Sequence, residues 1–221
     1  MAESFSAQLW DSISDIYGAI LAHPFLTGLA DGTLPERSFA FYVLQDALYL
    51  RDYARALTVV ASRAPTAEAM RMFAGHAAEA NAAELELHGA LLDELGIPRE
   101  MRSAEPAPTN LAYTSYLLAT VRGGSYAEGV GAVLPCYWIY AAVGKELLRS
   151  GSPDPRYQRW IATYGGDEYA AVVADVIAEL DRVSTGLSDD ERARVRGHFR
   201  TTSRYEWMFW QMAWVKESWP V

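Results

Sequence analysis

The chain has 221 residues, of which 51% are hydrophobic and 21% charged, and its formal net charge is −9. This composition is that of a globular protein with an ample core, and it excludes a disordered chain. Because basic residues are few and scattered, the acidic chain is a poor counterion for phosphate backbones, so we expect no nucleic-acid partner.

The compartment is predicted from the N-terminus, the cysteine content and the hydropathy. The first residues include Glu3 and no basic cluster, which is not typical of a signal peptide. One cysteine cannot form an intramolecular disulfide, so nothing indicates an oxidising compartment. The longest uncharged run, between Glu128 and Lys145, contains Pro135 and falls short of the roughly 20 residues that span a bilayer. We therefore expect a cytoplasmic protein with no membrane partner and one unusually buried helix.

Apolar residues recur with helical periodicity, and strand-like alternation is nearly absent. His23-Pro24 is predicted to end the first helix, Thr66 and Thr109 to cap later ones, and Gly96-Ile97-Pro98 to end the third. Asp31–Pro35 is predicted to be a turn. The predicted helices cover about 5–22, 36–62, 66–95, 109–123, 125–149, 155–163, 167–184 and 188–218. This pattern predicts an all-α helical bundle, with residues 1–221 forming a single domain.

The only cysteine, Cys136, follows Pro135 in the most apolar segment, beside Tyr137, Trp138 and Tyr140. A lone cysteine is most often a small buried hydrophobe. The segment also fits a nucleophile, because Cys136 and Tyr140 are four residues apart and share a helix face. Several buried hydroxyls would need partners, which a planar polar ligand could supply. The local sequence leaves both interpretations open.

Tyr42, Asp46, Tyr49 and Tyr53 are spaced by four, three and four residues, which places them on one helix face. A carboxylate on such a stripe is costly unless it is paired or binds a ligand. Asp46 is therefore interpreted either as a hydrogen-bond partner of a neighbouring helix or as the acceptor for an amino group or ring N–H of a substrate.

Glu206 lies among bulky rings in the segment 203–210. Burial there would raise its pKa and suit it to act as a general acid. The alternative is an ion pair with Arg204 or another base.

Metal ligands are scarce, since the chain has only four histidines. His76 with Glu79, and Glu84 with His88, each place two ligands on one helix face, but neither pair has the Glu-x-x-His order of di-iron bundles. No Gly-rich loop that follows a strand is present to bind phosphate. We expect no metal and no cofactor.

Several motifs resemble, in this order and over nearly the whole length, the TenA / thiaminase II family of aminopyrimidine aminohydrolases. They are His23-Pro24-Phe25, Asp31-Gly32-Thr33-Leu34-Pro35, Tyr42-Val43-Leu44-Gln45-Asp46, Tyr113-Thr114-Ser115, Leu134-Pro135-Cys136-Tyr137-Trp138, Tyr140, Trp160-Ile161-Ala162-Thr163-Tyr164-Gly165-Gly166 and Tyr205-Glu206-x-x-Phe209-Trp210. Each motif alone is only modestly specific for the family, but the whole set in this order is highly specific.

The resemblance implies a helical fold like that of haem oxygenase, without haem, assembled as a homotetramer. It places the chain in the branch with an active-site cysteine. Carried over, Cys136 is the nucleophile, Glu206 the proton donor and Asp46 the ligand of the pyrimidine amino group and ring nitrogen. Tyr49 hydrogen-bonds the thiol. The pocket for the small-molecule pyrimidine substrate is implied to be lined by Tyr113, Tyr140 and Tyr164.

The implied reaction is hydrolysis at the 5-methylene of a 4-amino-2-methylpyrimidine, releasing ammonia or, from thiamin, the thiazole.

The sequence departs from the family pattern at Leu48, where the family often has an aromatic residue. Ring packing at one wall of the pocket is therefore expected to differ. Two other functions stay open: a non-catalytic pyrimidine-binding or regulatory protein, and a metal-dependent oxygenase on the related scaffold.

Overall fold

The computed structural model describes residues 4–83, Glu94 and residues 105–221. These residues form α-helices, and the described ranges contain no β-strand. The helices with described bounds are α1 Phe5–Asp11, α2 Ser14–Leu21, α3 Pro24–Asp31, α4 Glu36–Ser62, α5 Ala67–Ala83, α6 Pro108–Gly123, α7 Tyr126–Leu148, α8 Pro155–Gly165, α9 Asp167–Ser184 and α10 Asp189–Val215. The predicted all-α class is therefore confirmed.

Helix α7 lies at the centre of the bundle, and α4, α6, α8, α9 and α10 all pack against it. Its residues from Ala127 to Tyr137 are buried without interruption, so neighbours cover every face of this stretch. This is the unusually buried helix that the uncharged run predicted. Within the described ranges, no helix is both long and apolar enough to cross a membrane.

The start of the chain corrects one prediction. The segment 5–22 is two helices, because Ser12 and Ile13 interrupt it. The Ser12 hydroxyl donates to the carbonyl oxygen of Leu9 at 2.6 Å, and Ile13 has a φ of −114° and a ψ of 13°, outside the helical region. The apolar residues with helical spacing in this segment are nevertheless all buried: Phe5, Leu9, Ile13, Ile16 and Ile20. A tighter turn, in which the N–H of Ile13 donates to the carbonyl oxygen of Trp10 at 3.1 Å, separates the two helices.

His23-Pro24 does end the second helix, but the prediction missed that a third helix begins there. Pro24 is the first residue of α3, a position where its fixed φ and missing N–H cost nothing. The ring nitrogen Nδ1 of His23 accepts the N–H of Phe25 at 3.1 Å and caps the helix. The same dipeptide therefore ends one helix and starts another.

The predicted caps have different outcomes. Thr66 caps α5 as predicted, since its hydroxyl oxygen accepts the N–H of Ala69 at 3.2 Å. The predicted cap at Thr109 is wrong, because α6 begins at Pro108. The Thr109 N–H instead donates to the Glu217 carboxylate at 2.8 Å, so a distant residue supplies the acceptor. The end predicted for the third helix, at residues 95–98, lies outside the described residues.

A close approach of α7 and α8 fixes one wall of the bundle. A Cβ atom at Gly144 would lie 2.5 Å from the backbone nitrogen of Gly165 and 2.5 Å from the carbonyl carbon of Tyr164. Both neighbours are backbone atoms, which cannot rotate away as a side chain can. Gly144 therefore sets the distance at which Tyr164 faces α7.

We expect Gly144→Ala to lower the free energy of unfolding by about 2 kcal/mol or more, because overpacking forces the two helices apart. Urea denaturation measures this change. Gly197→Ala in α10 is the matched control: its Cβ meets nothing within 4 Å, so better helix propensity should raise stability by about 0.5–1 kcal/mol. Equal effects at both positions would contradict the close-approach argument.

Candidate active site

A cavity of about 240 Å³ is bounded by residues of α4, α5, α7, α8 and α9. Four side chains predicted from the sequence line it: Asp46, Cys136, Tyr140 and Tyr164. The rest of the lining is mostly apolar or aromatic, with a few polar groups: Leu50, Tyr53, Leu57, His76, Glu79, Ala80, Tyr137, Thr163, Tyr169 and Val172. A mostly apolar cavity with a few convergent polar groups is typical of a site for a small planar molecule.

The thiol of Cys136 faces this cavity from the middle of α7 and is 9% exposed. Burial raises its pKa well above the usual range, and the nearby Glu206 raises it further. Hydrogen bonding with Tyr49 and Tyr53 acts in the opposite direction. The thiol is therefore protonated at neutral pH in the unliganded protein, and a cationic ligand would favour the thiolate.

Glu206 of α10 is 1% exposed, and its Oε1 accepts the hydroxyl proton of Tyr113 at 2.5 Å. Burial raises the pKa of Glu206 to about 8, against the lowering effect of the Tyr113 hydrogen bond, and Asp46 adds a smaller rise. At neutral pH the carboxyl is mostly protonated. The ion pair with Arg204 that the sequence left open is not found within the described residues, and Arg204 borders a separate surface groove.

The stripe predicted on α4 is buried along its whole length, and Asp46 brings a carboxylate to the cavity wall at 4% exposure. Tyr42, one turn earlier, donates its hydroxyl proton to the Tyr140 oxygen at 3.1 Å. The Tyr42 oxygen in turn accepts from the Trp160 indole at 3.3 Å. This chain of hydrogen bonds fixes the Tyr140 ring on the part of the cavity wall that α7 forms.

Tyr49 and Tyr113 are not among the residues that line the cavity; they form a buried layer beside it. Their ring centroids are 5.1 Å apart, and the Tyr49 ring also stacks on Tyr53 at 5.3 Å. Within the described residues the Tyr49 hydroxyl makes no hydrogen bond of ordinary geometry. It lies close enough to Cys136 to lower the pKa of the thiol.

Sequence reasoning missed part of the lining. Tyr137, Tyr169 and His76 all face the cavity, and Nδ1 of His76 lies 3.1 Å from the Tyr137 hydroxyl oxygen. From the sequence, His76 was interpreted only as a candidate metal ligand together with Glu79. Helical spacing does place residues 76, 79 and 80 on one face, but nothing local indicates which helix that face meets.

The two histidine–carboxylate pairs of the sequence are the candidate metal ligands. Within the described ranges, no group of three or more His, Cys, Asp or Glu side chains is arranged to hold a metal ion. His76 and Glu79 both line the cavity. The second candidate pair, Glu84 and His88, lies outside the described residues.

The amino-acid sequence matches a known protein family and one of its members. A model of the TENA/THI-4/PQQC family matches residues 10–216. The aminopyrimidine aminohydrolase of Bacillus subtilis (strain 168) is 38% identical over 216 residues, which cover 97% of this chain and 92% of that protein.

Solved structures agree with this placement. The TenA homologue from P. horikoshii OT3 superposes with a TM-score of 0.88 at 34% identity, covering 96% of this chain and 99% of that one. A haem oxygenase-like domain from Shewanella denitrificans OS217 has a TM-score of 0.74 at 16% identity and covers 95% of this chain and 92% of its own. The second likeness concerns the fold alone, and it confirms the predicted haem oxygenase-like architecture.

Proposed function

Because the chain belongs to the TENA/THI-4/PQQC family, we propose that it is a hydrolase of thiamin salvage that acts on a 4-amino-2-methylpyrimidine. Water replaces the group on the 5-methylene carbon of the ring. The observation that carries the proposal is the placement of Cys136 and Asp46 on the wall of one cavity. The protonated Glu206 is not a lining residue, but it is near enough to raise the pKa of the thiol. Relatives named aminopyrimidine aminohydrolase support the same reaction.

Asp46 binds the polar edge of the pyrimidine in this proposal. Its carboxylate lines the cavity and accepts a hydrogen bond from the 4-amino group. Tyr140 and Tyr164 supply aromatic faces against which the ring packs. Tyr113 acts through the carboxyl of Glu206, to which it donates its proton.

Cys136 attacks the ring because a substituent on the 5-methylene does not leave readily while the ring is aromatic. Glu206 protonates a ring nitrogen, the thiolate sulfur bonds to the ring carbon next to the 5-carbon, and aromaticity is lost. The 4-amino nitrogen then donates its electron pair into the ring, and the bond from the methylene carbon to the leaving group breaks. Water adds to the exocyclic methylene, and Cys136 departs as the ring becomes aromatic again.

The raised pKa of Cys136 is compatible with this role because the substrate changes the charge in the cavity. An aminomethyl substituent is an ammonium cation at neutral pH, and a positive charge near the sulfur favours the thiolate. Tyr49, whose hydroxyl has no other hydrogen bond of ordinary geometry within the described residues, further stabilises the thiolate by hydrogen bonding. When substrate binds, the thiol therefore loses its proton to solvent and becomes the nucleophilic thiolate; without substrate it stays protonated.

The direct test is to compare the rates at which the purified protein hydrolyses 4-amino-5-aminomethyl-2-methylpyrimidine and thiamin. We expect hydroxymethylpyrimidine from the first substrate together with one equivalent of ammonia, and slower release of the thiazole from thiamin. Tight pyrimidine binding in calorimetry without turnover of either substrate would contradict the proposal and favour a binding protein.

Leu48 is half-buried and is not among the residues that line the cavity. Any effect of Leu48 on substrate choice therefore acts through packing.

We also propose that residues 1–221 act as one domain in a cytoplasmic homotetramer that needs no metal or organic cofactor. The family resemblance supports this assembly. Exposed apolar side chains on the last helix, Met208 and Val215, offer contact area for another copy. Light scattering coupled to size-exclusion chromatography tests the tetramer, and elemental analysis of the purified protein tests for iron.

A further inference from the structure

A histidine shares the cavity with Cys136. His76 of α5 lines the cavity and is half-buried. The proposed reaction leaves one task without a residue, because the attacking water must lose a proton as it bonds to the methylene carbon. An imidazole is the side chain best suited to accept a proton at neutral pH.

A contact with α7 fixes which ring nitrogen of His76 faces a protein group. Nδ1 lies 3.1 Å from the hydroxyl oxygen of Tyr137. A hydroxyl oxygen has two lone pairs and can accept Nδ1–H. In the tautomer that carries the proton on Nδ1, Nε2 is the nitrogen that can take up a proton.

The charges around His76 suit a base. Burial lowers the pKa of His76, so the ring is neutral near pH 7 and can accept a proton. Glu79 on the same helix and Asp175 on α9 act in the opposite direction and favour the protonated ring. The two carboxylates would therefore stabilise the imidazolium once it forms.

We propose that His76 is the general base for the hydrolytic water, an inference that rests on the function proposed above. After the leaving group departs, Cys136 is bonded to the ring carbon and the 5-carbon carries an exocyclic methylene. The water oxygen bonds to the methylene carbon while one water proton passes to Nε2 of His76. The carbon–carbon π electrons return to the ring, the carbon–sulfur bond breaks, Cys136 leaves as thiolate, and the ring-nitrogen proton returns to Glu206. The imidazolium then gives its proton to ammonia or solvent.

The test is His76→Gln, assayed with 4-amino-5-aminomethyl-2-methylpyrimidine. We expect kcat to fall about a hundredfold, with a rapid burst of about one equivalent of ammonia per active site before the slow steady state. Intact-protein mass spectrometry should then show a pyrimidine adduct on Cys136. Azide needs no deprotonation, so adding it should restore turnover of His76→Gln and yield the azidomethylpyrimidine.

His198→Gln is the matched control. His198 also places Nδ1 against a tyrosine hydroxyl, that of Tyr116 at 2.8 Å, and burial also lowers its pKa, but it does not line the cavity. We expect wild-type rates and no adduct. Tyr137→Phe keeps the ring and removes only the acceptor of Nδ1–H, so we expect about a tenfold loss of kcat with the same azide rescue.

Three outcomes overturn the inference or its premise. If His76→Gln stays within about threefold of wild type, or loses activity with neither adduct nor azide rescue, His76 is not the base. If His76→Gln gives either of these results while Cys136→Ser is inactive, the proposed function stands and only the role of His76 fails. If Cys136→Ser retains wild-type turnover, the covalent mechanism fails and takes the inference with it.

Discussion

Replacing Cys136 by serine is expected to lower kcat at least about a thousandfold and to leave the fold intact. Serine has nearly the volume of cysteine, so the buried site on α7 is not opened. An alcohol is a far weaker nucleophile than a thiolate, and it holds its proton far more tightly than a thiol does. Hydrolysis of the aminopyrimidine, followed by ammonia release, measures the loss.

Two further measurements separate a chemical defect from a structural one. The thermal unfolding midpoint of Cys136→Ser should stay within a few degrees of wild type, and calorimetry should show that the variant still binds hydroxymethylpyrimidine. Because Asp46 and Tyr140 are untouched, product affinity should change little. Hydrolysis by Cys136→Ser at the wild-type rate would show that no covalent adduct is needed.

Helical periodicity alone predicted the two elements that dominate the site. The absence of charge between Glu128 and Lys145 predicted one unusually buried helix, and α7 is that helix, buried without interruption from Ala127 to Tyr137. Spacing by three and four placed Asp46 on one face with its tyrosines, and that face is buried. Both predictions succeed because burial of apolar surface acts on a whole helix face and is recorded in the sequence at each turn.

Helical periodicity could not predict contacts between segments that are far apart in the sequence. Tyr113 and Glu206 are 93 residues apart and meet at 2.5 Å, and no local pattern distinguishes that pair from an ion pair with Arg204. The layer formed by Tyr49 and Tyr113 beside the cavity depends on where α6 packs. The role proposed for His76 depends on its contact with Tyr137, which the helix spacing of α5 does not encode.

Local chemistry also misled where a tertiary partner competed with it. Thr109 has the side chain of a good N-cap, yet α6 begins at Pro108 and the carboxylate of Glu217 satisfies the free backbone amide. The interruption at Ser12 and Ile13 is instead local: the Ser12 hydroxyl bonds to the carbonyl oxygen of Leu9, and apolar residues on both sides of it are buried.

Glu206→Gln is expected to lower kcat about a hundred- to ten-thousandfold, because an amide cannot protonate the pyrimidine ring. In the wild-type enzyme the acid must be protonated, so activity should fall as pH rises through about 8, the raised pKa of Glu206. Glu206→Gln should lack this fall in its residual activity. Tyr113→Phe removes the hydrogen bond that lowers the pKa of Glu206, so its activity should persist to higher pH than that of wild type.

Glu206→Gln should also change how the free energy of unfolding depends on pH. The folded-state pKa of Glu206, about 8, lies above the ordinary value of 4.5, so its stabilising contribution is complete below pH 4.5 and is lost as pH rises towards 8. This loss corresponds to about 5 kcal/mol at most, at about 1.4 kcal/mol per pKa unit. Glutamine stays neutral, so urea denaturation should find Glu206→Gln gaining a few kcal/mol on wild type between pH 5 and pH 8. The exposed Glu168→Gln should gain nothing, and a pH-independent difference for Glu206→Gln would mean that the buried carboxyl ionises without penalty and is not a neutral acid at pH 7.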